Sequence, residues 1–186
     1  MKFLKRFLIV AIILVVLGYF VGLPYMQEQT KKHSPERTAT YTEKGMDLSI
    51  IYSGPSKKGR VIFGELVPFD TVWRTGANEP TTFTTASDIT IKGQKLPAGT
   101  YSLWTKPNPE QWSVMFNKEV PDWGVTILSG GKDTTRDAGQ DVVTVAVPVQ
   151  SLAEEVEKLT ILFEENGGTQ MCLSWDKTKV CLPIEK

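Results

Sequence analysis

Between residues 38 and 186 the chain breaks into short runs of β-branched, aromatic and aliphatic residues, each closed by turn-forming residues. That rhythm limits the fold more than any other feature. Met46, Leu48, Ile50 and Tyr52 alternate with Asp47, Ser49 and Ser53. A two-residue period is that of a strand with one face buried. Residues 38–42 precede it, and Glu43-Lys44-Gly45 can turn one into the other. Residues 60–63, 81–85 and 89–92 come next as short strands. Leu96-Pro97-Ala98-Gly99 and Pro107-Asn108-Pro109 are turns leading into strands at 100–105 and 112–117. Residues 142–147 and 159–164 alternate again. Residues 171–175 and 179–184 predict a closing hairpin around Asp176-Lys177-Thr178, and only residues 151–158 carry a helical pattern. About ten strands at spacings of roughly 8–12 residues predict an all-β body, an antiparallel β-sandwich with a jelly roll as one form of it. No strand–long helix–strand rhythm occurs, which excludes a doubly wound sheet. No glycine-rich phosphate loop occurs either.

The N-terminus is built differently. Lys2, Lys5 and Arg6 precede an apolar run over residues 7–23, interrupted only by Gly18, Tyr19 and Gly22. As a helix this run spans roughly 25 Å, the short end of a membrane crossing. The basic start predicts a cytoplasmic end at residues 1–6, a transmembrane signal anchor at 7–23, a tether at 24–37 and an extracytoplasmic (periplasmic or outer) domain at 38–186. A cleaved signal peptide shares the basic start and the apolar centre, but no Ala-x-Ala site succeeds the run. No cysteine succeeds it, which excludes a lipoprotein anchor.

The 186 residues hold 21 basic and 21 acidic side chains. Residues 1–35 take five of the bases and one of the acids, leaving the body a net charge of −4. A neutral chain lacks the basic excess that neutralises phosphates, so no nucleic-acid partner is expected. One histidine, His33, and two cysteines provide little for a metal cluster or a histidine-dependent active site. No cofactor and no catalytic residue is therefore assigned, and a non-enzymatic role is favoured. In the predicted closing hairpin, a register with Trp175 facing Val180 sets Cys172 and Cys181 diagonally on one face. A disulfide there needs a shifted register or a bulge. A disulfide and two buried free thiols both stay open.

The segment YSGPSKKGRVIFGELVPFDTVWRTGANEPTTF at 52–83, with LPAGTYSLWTKP at 96–107, WSVMFNK at 112–118 and WDKTKVCLPI at 175–184, resembles one bacterial family. That is domain-of-unknown-function family 2911, common in Bacteroidetes and usually exported. The resemblance covers residues 34–186. It implies a compact β-rich domain with no assigned activity. The chain departs from commoner members in its signal anchor and in Lys57, where an apolar residue is expected.

Polar residues crowd into 57–79. Arg60, Glu65, Trp73, Arg74, Asn78 and Glu79 are the candidate ligand contacts. Arg74 can grip a carboxylate with its planar fork, Asn78 can donate and accept, and Trp73 can supply an apolar wall. This suits a small polar, anionic or carbohydrate ligand, or an envelope partner. The structural alternative pairs Arg74 with Glu65 or Glu79 as a lock. A glycosidase reading of Glu65, Asp70 and Glu79 needs two carboxylates about 5–10 Å apart across a cleft. Asp133, Asp137 and Asp141, spaced by four, do not match a calcium loop. Trp104, Trp112 and Trp175 sit on strands and are expected in the core; Trp123 sits on a loop and can stack on a sugar.

Overall fold

The computed structural model describes residues 2–126, 129–131 and 133–186; Met1 of the basic end lies outside them. The chain divides into two units, Met1–His33 and Ser34–Lys186.

The first unit is helical: α1 (Lys2–Leu17), a π-helical stretch (Gly18–Gly22) and α2 (Leu23–His33). The π stretch holds two glycines and lies just before Pro24, which has no N–H to donate into the preceding turn. From Phe3 to His33 the helix runs for 31 residues, long and apolar enough to cross a membrane. The polar stretch expected as a loose tether is thus helical as far as His33. Lys31 and Lys32 stand in its last turn, where cations meet the partial negative charge of the helix end.

The second unit is one nine-stranded antiparallel sheet, in the order β1-β2-β3-β6-β7-β8-β9-β4-β5. Its strands are β1 (Glu36–Tyr41), β2 (Leu48–Ser53), β3 (Thr81–Thr85), β4 (Ile89–Ile91), β5 (Gln94–Leu96), β6 (Gly99–Lys106), β7 (Gln111–Asn117), β8 (Asp141–Glu165) and β9 (Thr169–Glu185). The predicted alternation decides which face is inside. On β8, Val143, Val145 and Val147 are buried while Val142, Thr144 and Ala146 are exposed. β2 does the same with Leu48 and Ile50. Trp104, Trp112 and Trp175 are all at most 1% exposed, as their strand positions predicted.

β8 is the longest strand among the described residues. Its first part pairs with β7 through Pro148, and from Val149 it pairs with β9, with register shifts around Val156. Beyond those shifts β8 lies beside the start of the chain's second unit. The Ile161 N–H donates to the Tyr52 hydroxyl at 3.0 Å, and the Leu159 N–H to the Pro55 carbonyl at 3.0 Å. Residues 151–158, expected as a helix, are this bulged middle of β8. Pairing with β9 and with Ser56 overrides a weak local preference.

Cys172 and Cys181 are joined in a disulfide. Nine residues of straight strand would separate their Cα atoms by roughly 30 Å; they are 4.1 Å apart. β9 therefore doubles back near Asp176, whose φ is +54°. The two strands predicted as a hairpin are one strand, β9, paired with β8, and its fold back brings Cys172 and Cys181 together, so the diagonal placement of the Trp175–Val180 register does not hold. Leu173, Val180 and Leu182 line the same core space as Ile161.

Residues 60–63 are not a strand. Lys58 and Gly59 take φ values of +51° and +70°, which ends any extended run. The chain then passes through a series of turns closed by a Phe63–Val67 bridge.

Candidate functional site

The connection over residues 54–80, between β2 and β3, carries every candidate contact, and it is tied down along its length. Lys57 reaches Glu155 at 2.7 Å and Asp176 at 2.8 Å. These two partners, Asp176 first, raise its pKa. This explains a lysine where an apolar residue was expected. The Asp70 N–H donates to the Pro107 carbonyl at 2.8 Å, and Trp73 and Thr105 exchange both backbone hydrogen bonds at 2.7 and 2.9 Å. Gly76 lies so close to β2 that a Cβ there would stand 2.8 Å from the Ser53 carbonyl oxygen.

Trp73 is anchored on both sides. Its ring stacks on Trp175 at 6.0 Å between centroids and 18° between planes, and meets Phe63 and Trp112 edge-on at 6.3 Å each. Its Nε1–H donates to the Gly76 carbonyl at 3.0 Å. The next residue, Arg74, is held by its stem. Gly124 approaches so closely that a Cβ there would lie 2.3 Å from Arg74 Cδ and 3.0 Å from its Cβ. Arg74 Nε is buried and has no hydrogen-bond partner. Burial alone acts on this guanidinium, and it lowers the pKa below its ordinary value. The lock to Glu65 or Glu79 is not seen: Glu65 is exposed, Glu79 lines another hollow, and among the described residues no carboxylate acts on the charge of Arg74.

Trp73 and Arg74 open onto a cleft of about 360 Å³. Its apolar walls are Leu66, Val67, Pro68, Val72 and Val125, with Thr71, Gly131 and Thr134 completing the lining. The size is that of a small-molecule pocket.

The other candidates lie elsewhere. Arg60 is exposed, and its guanidinium closes its own turn, Nε donating to the Lys57 carbonyl at 2.9 Å and Nη2 to the Ser56 carbonyl at 2.6 Å. Asn78 is buried with φ +60°, a conformation asparagine tolerates better than most residues. Its Nδ2 makes long hydrogen bonds to the Ser34 carbonyl (3.4 Å) and Ser53 Oγ (3.5 Å). Glu79 lines a second hollow of about 380 Å³, shared with Glu36, Asp122 and Tyr52. Six residues read as one cluster are therefore distributed over separate surroundings, and Trp73 and Arg74 alone share the cleft. Sequence reasoning missed its walls. Their one local signal is the apolar Leu66-Val67-Pro68 inside a polar stretch.

Two other motifs resolve into structural roles. Asp137 accepts from the Gly139 N–H at 2.9 Å and caps a short 3₁₀ turn (Ala138–Gln140). Asp141 takes Arg136 Nε at 3.0 Å and Asn117 Nδ2 at 2.8 Å. Trp123 lines neither hollow; its carbonyl accepts from Thr135 Oγ1 at 2.6 Å. Among the described residues, Glu164, Cys172 and Cys181 bring metal-ligating atom types within 4.8 Å. Both sulfurs are in the disulfide, and both Glu164 oxygens accept from Lys179 Nζ at 2.7 and 2.8 Å.

Fold and site together define an antiparallel β domain with a half-buried arginine, its Nε without a partner, at an apolar-walled cleft. Over residues 34–184 the chain matches the family described as protein of unknown function (DUF2911), and it belongs to that family. No curated protein and no solved structure matches it.

Proposed function

We propose that this chain is a membrane-tethered binding domain that takes a small anionic ligand in the cleft over Arg74. The buried Nε without a partner carries this reading. A half-buried charged group with an unmatched donor and no acidic partner is costly, and an anion bound in the cleft it lines lowers that cost. Of the six candidates, Trp73 and Arg74 are contact residues, while Arg60 and Asn78 hold the loop. Glu65 and Glu79 take no part in this ligand's binding.

The tether is the apolar helix over residues 7–23. Lys5 and Arg6 before it favour a cytoplasmic N-terminus, and the disulfide suits an oxidising extracytoplasmic compartment. We read the sheet as curled on itself into a β-sandwich, β8 passing from one layer to the other at its bulges. The Tyr52–Ile161 contact supports this, because it joins strands far apart in the sheet order.

A thermal-shift screen of the full-length chain in detergent tests the function. The panel is carboxylates, phosphate, sugars and divalent ions, run beside Arg74→Ala. A ligand at a hundred times its Kd adds about 2.7 kcal/mol of stability. The expected result is a stabilising anion whose effect disappears in Arg74→Ala. Equal stabilisation of both proteins by every hit, or no anion among the hits, rejects the reading.

A further inference from the structure

We infer that the ligand of this cleft is an amphipathic monocarboxylate: one carboxylate on a compact apolar or aromatic body. The inference rests on the anion-binding reading of Arg74 and adds the chemical class. Three features of the cleft select it.

The first is charge. Among the described lining residues Arg74 is the one cation and none carries a carboxylate. A single guanidinium balances a single negative charge, and its fork matches a carboxylate in a bidentate pair. Against the described lining residues a phosphate dianion would leave a second charge without a countercharge, at high cost away from water.

The second is the wall. Leu66, Val67, Pro68, Val72 and Val125 offer no side-chain hydrogen-bond partner. A sugar entering here would leave most of its hydroxyls unmatched, each a desolvation penalty. The Thr134 hydroxyl, and that of Thr71 in exchange for its long 3.3 Å bond to the Phe69 carbonyl, supply at most two donors, enough for one carboxylate and too few for a sugar ring.

The third is rigidity. Trp73 is fixed between Trp175 and the Gly76 carbonyl, and Gly124 fixes the Arg74 stem. The guanidinium is thus held before the ligand arrives, which lowers the entropic cost of binding.

Isothermal titration of the full-length protein in detergent, with protein-free micelles subtracted, separates the classes. The probes are phenylacetate, its neutral analogue 2-phenylethanol, inorganic phosphate and maltose. Phenylacetate is expected to bind, and 2-phenylethanol to bind about tenfold more weakly or worse, the equivalent of one charge-assisted pair. Arg74→Gln is expected to lose the phenylacetate signal. Thr71→Glu alters an exposed lining residue and supplies a resident carboxylate. It is expected to weaken phenylacetate about tenfold, and to weaken it more than 2-phenylethanol. Arg74-dependent binding of phosphate or maltose, with none of phenylacetate, overturns the monocarboxylate class and leaves the anion site standing. Phenylacetate binding that is equal in wild type, Arg74→Gln and Thr71→Glu overturns both, and so does silence from all four probes.

Discussion

Two arginines show what the connection around the cleft does that the rest of the domain does not. Arg136 precedes Asp141 by five residues, and Arg74 precedes Glu79 by the same five. Around Arg136 the chain makes a capped 3₁₀ turn, and Arg136 grips Asp141 with Nε and Nη2, the two side chains being 13% and 15% exposed. Around Arg74 the chain passes through Thr75 at φ +59° and Asn78 at φ +60°. Those two left-handed steps leave Arg74 at one hollow and Glu79 at another. Identical spacing thus gives a closed ion pair in one place and an uncompensated guanidinium in the other. Backbone conformation decides the outcome. A closed pair serves the fold; an open charge held rigidly in a cleft is available to something outside it.

The contrast can be broken by mutation. Asp141→Ala strands Arg136 and removes an acceptor of Asn117, and should cost about 3 kcal/mol in urea unfolding. A loss below about 1 kcal/mol would place Arg136 in the same class as Arg74. Gly124→Ala drives a methyl against Arg74 Cδ and within 3.1 Å of the Asn78 carbonyl oxygen. It should cost about 2 kcal/mol. Combining it with Arg74→Ala should recover part of that loss, since the two sites touch; strict additivity in the double-mutant cycle would show that Gly124 does not hold the arginine. Arg74→Met keeps the stem and discards the uncompensated charge, so it should raise stability by about 1 kcal/mol, whereas Arg136→Met should lower it. Destabilisation by both would mean that Arg74 has a structural role after all.

The smallest expected effect concerns a third, exposed arrangement. Glu165 is held down to about 2, first by Lys44, then by the Tyr41 and Thr169 hydroxyls. The Tyr41 hydroxyl donates to Glu165 Oε1 at 2.6 Å. Because the folded pKa lies below the ordinary 4.5, this contribution is complete above pH 4.5 and is lost as pH falls towards 2. Glu165→Gln should flatten the dependence of the melting temperature on pH within that window. An unchanged slope would assign the acid sensitivity to other carboxylates.

Much of the fold was legible in the sequence because strand alternation is a local signal. The β2 pattern from Leu48 to Tyr52 and the β8 pattern from Val143 to Val147 each declare a buried face without reference to neighbours. Residues 151–158 misled because their partners, β9 and Ser56, lie far away in sequence. Residues 60–63 misled for a related reason: their composition suits a strand, but after the left-handed steps at Lys58 and Gly59 they bond locally to Leu66 and Val67 and not to a strand of the sheet. The site was half legible. Trp73 and Arg74 stood out by type, yet Val125 and Thr134 reach the cleft from another loop. Sequence proximity grouped Arg60 and Glu79 with them, and three-dimensional proximity does not.

The sheet order also sets an order in time. β1, β2, β3, β6 and β7 are mutual neighbours and can pair as soon as residue 117 has emerged. The β4–β5 hairpin belongs to the middle of the chain but docks through Ile91 and Thr90 onto Ile184 and Glu185. It must wait with an open edge until residue 185 is released. Contacts of such long sequence separation form late, and unpaired edges invite association while they wait. A chain shortened by its final three residues would lose both β4 partners, and with them the step that ends this exposed interval.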